Sequence, residues 1–141
     1  MPWALKAVLA ILVLHALGHL SIAVLGIVNH PTSLGMPAFM ASIAAVEVLF
    51  LWGLARGKDG VRGLAAALAA LGGAGQALMG VAAVHHAMSA YAQPDDIVTG
   101  IGLFIAGALS FFTTFALTRR SVKQWMVAKT LPGADLEVLG P

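Results

Sequence analysis

The chain contains no cysteine, which excludes disulfide bonds, thiolate metal sites, iron–sulfur clusters and catalytic thiols. Charge is also scarce, because only 10% of the 141 residues are charged while 60% are hydrophobic. Soluble domains carry roughly 25% charged residues, so this composition excludes a water-soluble globular enzyme. It also excludes a disordered chain, which requires low hydrophobicity and high net charge. The remaining class is a small integral membrane protein.

Several catalytic signatures are missing as well. The sequence has no H-E-x-x-H zinc motif, no phosphate-binding P-loop and no G-x-S-x-G nucleophile motif. Although the net charge is +2, the basic residues form short clusters of the kind found at membrane edges, so we expect no nucleic acid partner. We expect contact with the lipid bilayer, and either other subunits of a membrane complex or a homo-oligomer.

The spacing of the charged residues divides the chain into membrane-spanning segments. A spanning helix needs about 20 apolar residues, and the turn-forming run from Asn29 to Pro37 breaks the first long apolar stretch into two. We therefore predict an all-α integral membrane protein, a four-helix transmembrane bundle over residues 1–120 with a cytoplasmic tail at 121–141, of which residues 124–131 lie on the membrane surface. The predicted helices are 3–28, 37–55, 63–91 and 95–118. We expect the first to be a retained helix and not a cleaved signal peptide, because its apolar run is too long and two histidines interrupt it.

The distribution of lysine and arginine predicts the orientation. Basic residues occupy the 56–62 loop and the 119–123 segment, whereas the other two loops have none and one of them carries Asp95 and Asp96. The positive-inside rule then places both termini in the cytoplasm of a multi-pass protein of the cytoplasmic (inner) membrane, which agrees with Lys6. Three tryptophans fall near the same face: Trp3, Trp52 and Trp125.

Glu47 is the most informative single residue. It lies ten residues beyond Pro37, which is roughly 15 Å along a helix and close to the middle of the hydrocarbon core. An ionised carboxylate there costs at least about 2.5 kcal/mol, so the residue should face other helices and be protonated or paired. We interpret it as a proton-relay carboxylate, a metal ligand or an anchor for a quinone. A purely structural role, bonded to Gln76 or a serine, is the alternative.

His15 and His19 are the second candidate pair. Their i, i+4 spacing places both imidazoles on one face of the first helix. Imidazole can ligate a metal, ligate haem or carry a proton. Together with Glu47 they could hold a divalent metal or copper ion, but two histidines on one helix face cannot be the two axial ligands of one haem.

Three residues of the third helix complete the set of candidates. Gln76 is predicted near the midplane, while His85 and His86 are predicted near the outer end. His19 and His86 are the best candidates for the axial ligands of a haem b, with Gln76 and His85 as further cofactor-binding residues. Glu47 and His15 would carry protons to or from a quinone.

The order of motifs in the middle of the chain points to a family. The matching segments are Leu34-Gly35-Met36-Pro37, Ala45-Val46-Glu47, Gly53-Leu54 with Arg56, and His85-His86. Over this third of the chain the sequence resembles the DoxX-like family of small four-helix membrane proteins. It departs from that family in the first helix, where Gly18-His19 stands in place of a lysine often found near the outer end. The resemblance implies a membrane subunit of a quinone-linked oxidoreductase, as in thiosulfate–quinone oxidoreductases.

Three functions follow from these residues. The first is a respiratory-type oxidoreductase subunit that binds haem b or quinone in the outer half of the bundle. The second is a metal-binding or metal-transport protein that uses His15, His19 and Glu47. The third is a non-catalytic accessory subunit of a larger membrane complex, whose polar groups only pair helices.

Overall fold

A computed structural model of the protein describes residues 1–29, 32, 34–89 and 96–130, and within those ranges the only regular structure is helical. The helices are α1 (Trp3–Asn29), α2 (Gly35–Ala55), α3 (Asp59–Ala87), α4 (Asp96–Thr118) and α5 (Arg120–Thr130). The prediction of an all-α chain is confirmed for the part of the chain that the structure describes.

Four of these helices are long and apolar enough to cross a membrane. The shortest full helix among them, α2, has 21 residues and is therefore about 32 Å long, which matches a hydrocarbon core about 30 Å thick. Many of their large apolar side chains are exposed, including Leu14, Leu71 and Leu78. Such exposure is unfavourable in water and favourable in lipid, so the helices indicate a multi-pass membrane protein.

The third helix begins four residues earlier than the sequence predicts. Asp59 opens it, and the amide of Arg62 already donates to the carbonyl of Lys58 at 3.2 Å. An acidic residue is favourable in the first turn of a helix. Asp59 also pairs with Arg62, whose Nε lies 2.6 Å from Oδ1. Residues 59–62 are therefore a polar helical turn and not a loop. The helix also ends four residues earlier than predicted, at Ala87 and not at residue 91, because the amides of Met88 and Ser89 make turn hydrogen bonds to His85 and His86.

The tail contains a helix that the sequence does not predict. Helix α5 starts at Arg120, before the surface segment predicted at 124–131, and ends at Thr130. Its side chains Val122 and Met126 are fully buried, four residues apart on one face. This part of the tail is therefore packed against the rest of its unit.

The chain divides into two compact units, and the first contains α1, α2, the opening turn of α3 and α5. Helices α1 and α2 form an antiparallel hairpin. At its loop end, a methyl group on Gly26 would lie 2.9 Å from Cγ of Pro37, and further along the hairpin His19 meets Glu47. Gly26 therefore permits the close approach of the two helices.

A glycine turn ends α2 and fixes the start of α3. The amide of Gly57 donates to Leu54 at 3.0 Å, and the amide of Lys58 donates to Gly53 at 3.0 Å. This is the Schellman pattern, which requires a left-handed residue such as Gly57 with its φ of 76°. The hydroxyl of Thr130 donates to the carbonyl of Gly57 at 3.2 Å, so α5 ends against this turn.

The second unit runs from Gly63 to Thr118 and contains most of α3 together with α4. A methyl group on Gly73 would lie 3.2 Å from the carbonyl oxygen of Gly107, and one on Gly107 would lie 3.2 Å from that of Gly73. Gly80 and Gly100 form a second close pair of the same kind. Small residues thus bring the two backbones together, as is common between helices in lipid.

Candidate functional site

The strongest cluster of ionisable side chains lies within the α1–α2 hairpin. His15 and His19 are one turn apart on α1, and Glu47 projects from α2. His19 is about 15 Å from the end of α1, and Glu47 is about 18 Å from the start of α2. Because the two helices are antiparallel, these distances bring the three side chains to a similar level.

Glu47 joins the two helices through a direct contact with one of the histidines. Nδ1 of His19 lies 2.9 Å from Oε2 of Glu47, which is a good hydrogen-bond distance. Nδ1 of His15 lies 3.9 Å from the other carboxylate oxygen, Oε1, which is too far for a hydrogen bond. The two imidazole rings lie edge to face, with centroids 6.3 Å apart. The carboxylate is therefore bonded to His19 and is close to His15.

All three side chains are largely removed from solvent. The Glu47 side chain is 12% exposed, that of His15 is 23% exposed and that of His19 is 24% exposed. A charged carboxylate in an apolar region is favourable only when it is paired and hydrogen bonded. The imidazole of His19 supplies that partner from within the hairpin, so Glu47 does not depend on Gln76 or a serine for one.

The direction of the hydrogen bond matters for the chemistry of His19. An ionised Glu47 can only accept, so Nδ1 of His19 then donates the hydrogen bond and Nε2 of a neutral ring carries the free lone pair. Nε2 of His19 is thus suited to accept a proton or to bind a metal.

The same three residues do not form a preformed metal site. Among the residues that the structure describes, no group of three or more His, Asp and Glu side chains is placed to hold a metal ion. The nitrogens that face the carboxylate are engaged with it or directed toward it. The metal-binding function of His15, His19 and Glu47 accordingly stays a prediction from the sequence.

Gln76 has a partner in its own unit. The hydroxyl of Ser110 in α4 donates to Oε1 of Gln76 in α3 at 3.0 Å, and Ser110 is buried. This bond crosses the α3–α4 pair near the close approach of Gly73 and Gly107. Gln76 therefore has a structural role in holding α3 to α4, and its role as a cofactor-binding residue stays a prediction.

The remaining histidines are placed differently from the pair on α1. His85 and His86 are exposed in the last turn of α3, within the second unit. His30, the remaining histidine of the chain, lies outside the described residues. The assignment of His19 and His86 as haem ligands, with His85 beside them, stays a prediction.

Sequence reasoning missed one feature of the first unit. Its tryptophans are predicted only as interfacial residues, but each carries a cation over its ring, as Trp3 does with Arg119 at 5.5 Å from the ring centroid. The signal in the sequence is the close spacing of Trp and Lys or Arg at the ends of α2 and α5. The partners across helices could not be read from that spacing.

No family model, curated protein or solved structure matches this chain. The resemblance to the DoxX-like family therefore stays an inference from short motifs.

Proposed function

We propose that this protein is a membrane subunit of a respiratory-type oxidoreductase, in which His15, His19 and Glu47 exchange protons with a bound quinone. The observation that carries the proposal is the 2.9 Å contact between His19 and Glu47 inside an apolar helical hairpin. Ionisable residues are expensive at such depth, and within membranes they mark proton or ion pathways. A carboxylate between two imidazoles is the kind of relay that a quinone reaction requires.

The chemistry of the relay follows from the hydrogen bond. A bound quinol supplies two electrons and two protons, and a redox centre in a partner subunit takes the electrons. Nε2 of His19 accepts a proton from a quinol hydroxyl, and the resulting imidazolium is stabilised by the carboxylate of Glu47 at Nδ1. His15, 3.9 Å from the same carboxylate, is the next group able to take up a proton. Reduction of quinone uses the same groups in the reverse direction.

A haem b version of the proposal uses the same histidine. Because Glu47 occupies Nδ1 of His19, Nε2 is the nitrogen available to an iron, and a carboxylate on the second nitrogen is typical of metal-bound histidine. In this version His86 would be the second histidine to hold the haem, with Gln76 and His85 as further haem-binding residues. Haem would supply one-electron transfer.

We further propose that both termini face the cytoplasm and that the protein resides in the cytoplasmic membrane. The basic residues of the α2–α3 turn and of α5 support this orientation by the positive-inside rule. In this orientation the relay lies in the outer half of the membrane or near its middle. The electron donor or acceptor would be another subunit of the complex, so co-purification with a larger oxidoreductase is expected.

The test is the chemical content of the protein purified in mild detergent from quinone-containing membranes. We expect extraction to yield quinone in stoichiometric amount, and the yield to fall in the His19→Ala variant but not in Ser21→Ala. Ser21 is a matched control because its hydroxyl bonds only within its own helix, to Leu17.

An absorption spectrum of the same samples separates the two versions. A Soret band after haem supplementation supports haem, and its absence removes that version. If neither quinone nor haem is found, the proposal is wrong and the His19–Glu47 bond only joins the helices of an accessory subunit. Elemental analysis showing bound metal that His19→Ala abolishes would instead support the metal-binding function.

A further inference from the structure

At one end of the first unit, several basic side chains lie over tryptophan rings. The guanidinium of Arg56 lies 4.3 Å from the centroid of Trp52, and the ammonium group of Lys58 lies 4.5 Å from the same centroid. The distance between the two cations cannot exceed the sum of these two distances. This upper bound of about 9 Å is comparable to the Debye length of about 8 Å at physiological ionic strength, so the repulsion between the two cations is only partly screened.

Helix α5 brings a third cation to the same turn. A methyl group on Gly57, between Arg56 and Lys58, would lie 2.7 Å from Cβ of Lys129, so the Lys129 stem rests on this glycine. The Lys129 ammonium group lies 5.8 Å from the Trp125 ring centroid. The α5 helix is held there by its hydrogen bond to the carbonyl of Gly57. Arg56, Lys58 and Lys129, here called the turn cations, are therefore gathered by tertiary structure and not by sequence alone.

Asp59, the carboxylate next to these cations in the sequence, pairs with a different basic residue. Asp59 follows Lys58 directly, but its Oδ1 is 2.6 Å from Nε of Arg62. All three turn cations belong to exposed residues, so an anion could reach them. Trp52 is also about half exposed and lies in the last turn of an apolar helix, where an indole ring favours the lipid headgroup region.

We propose that the turn cations bind the phosphate of an anionic phospholipid. The charge of the site is complementary to a phosphodiester, and the apolar surface of α2 that leads away from Trp52 suits acyl chains. Clusters of lysine and arginine next to a spanning helix attract anionic lipids, each cation contributing about fivefold in affinity. A lipid at this place would hold the α2–α3 turn and α5 together on the membrane surface.

The test is lipid retention by the full chain in neutral detergent, measured by native mass spectrometry with phosphatidylglycerol or phosphatidylcholine added. The variant is Arg56→Gln with Lys129→Gln. The matched control is Lys6→Gln with Lys123→Gln, which removes the same charge from exposed positions of the same unit. We expect phosphatidylglycerol to bind the variant about 30-fold more weakly and the control within about twofold of the wild type.

A second variant keeps the test valid if the first does not fold. Lys58→Gln removes one turn cation and should weaken phosphatidylglycerol binding about fivefold. An equal loss in the control would mean diffuse attraction and would overturn the proposal, as would equal retention of phosphatidylcholine. A further measurement compares inorganic phosphate with phosphatidylglycerol by their effect on the Tm of the lipid-free protein. If phosphate raises the Tm as much as phosphatidylglycerol does, the site binds free phosphate and the lipid assignment is wrong.

Discussion

His19 and Glu47 lie 28 residues apart in the chain, and Nδ1 of the first is 2.9 Å from Oε2 of the second. This hydrogen bond connects α1 to α2 near the middle of both helices. It also fixes the ring of His19 so that Nε2 faces away from the carboxylate. A single contact therefore both pairs the two helices and orients the ring of His19.

Replacement of Glu47 by glutamine separates these two roles. Glutamine can still accept a hydrogen bond from His19, so we expect a folded protein whose free energy of unfolding changes by less than about 1 kcal/mol. Glutamine cannot stabilise an imidazolium as a carboxylate does, so quinol-dependent proton release by the reconstituted complex should fall by at least about tenfold. The measurement is proton release in proteoliposomes, with Ser42→Ala as the control because its hydroxyl bonds only to Ala38 in its own helix. Normal turnover in Glu47→Gln would leave only the structural role.

The two histidines of α1 should differ in their effect on stability. His19→Ala removes a hydrogen bond to a poorly solvated carboxylate and should cost about 1–2 kcal/mol. His15→Ala removes a contact of 3.9 Å and should cost less than half of that. Thermal unfolding in detergent, followed by circular dichroism, measures both losses of stability. A larger loss in His15→Ala than in His19→Ala would contradict the geometry. A double-mutant cycle between His19→Ala and Glu47→Ala, each of which removes the hydrogen bond, should give a coupling energy of about 0.5–1.5 kcal/mol.

The close packing of α3 on α4 predicts different effects of substitution at two adjacent glycines, Gly72 and Gly73. A side chain on Gly73 would meet the carbonyl of Gly107, whereas nothing lies within 4 Å of a methyl group on Gly72. We expect Gly73→Leu to destabilise the α3–α4 pair by about 1–3 kcal/mol and Gly72→Leu to be neutral or stabilising. Thermal unfolding of the two variants in the same detergent checks this, and equal Tm values would mean that the two helices do not approach closely at Gly73.

The turn between α2 and α3 allows a similar comparison. Gly57 has a φ of 76° and contacts Lys129, whereas Gly60 is helical with nothing within 4 Å of an added methyl group. Gly57→Ala should cost about 1–2 kcal/mol, because alanine disfavours the left-handed conformation and its methyl group would displace α5. Gly60→Ala should be neutral or stabilising.

Hydrogen exchange of residues 120–130 is the measurement for this pair of variants. Faster exchange in Gly57→Ala alone is expected. Protection that is unchanged in Gly57→Ala would show that α5 does not depend on this turn.

The sequence predicted the components of the fold more fully than their arrangement. Long charge-free runs predicted four helices because a spanning helix must be apolar over its whole length. The sequence predicts the start of α3 too late, because the charges of Asp59 and Arg62 favour a loop over a membrane-spanning helix. Their mutual ion pair, which stabilises a helical turn, depends on a geometry that a count of charges does not include.

At the candidate site, too, the sequence predicts which residues are present but not which of them meet. The sequence alone determined that Glu47, His15 and His19 lie deep in apolar helices, because depth follows from helical rise and a carboxylate in lipid needs a partner. Only the tertiary structure decided that His19 is the bonded partner and that Gln76 bonds to Ser110. Which of several polar groups meet is set by the register and rotation of packed helices. That register depends on contacts such as Gly26 against Pro37, which join residues from different helices and leave no local pattern in the chain.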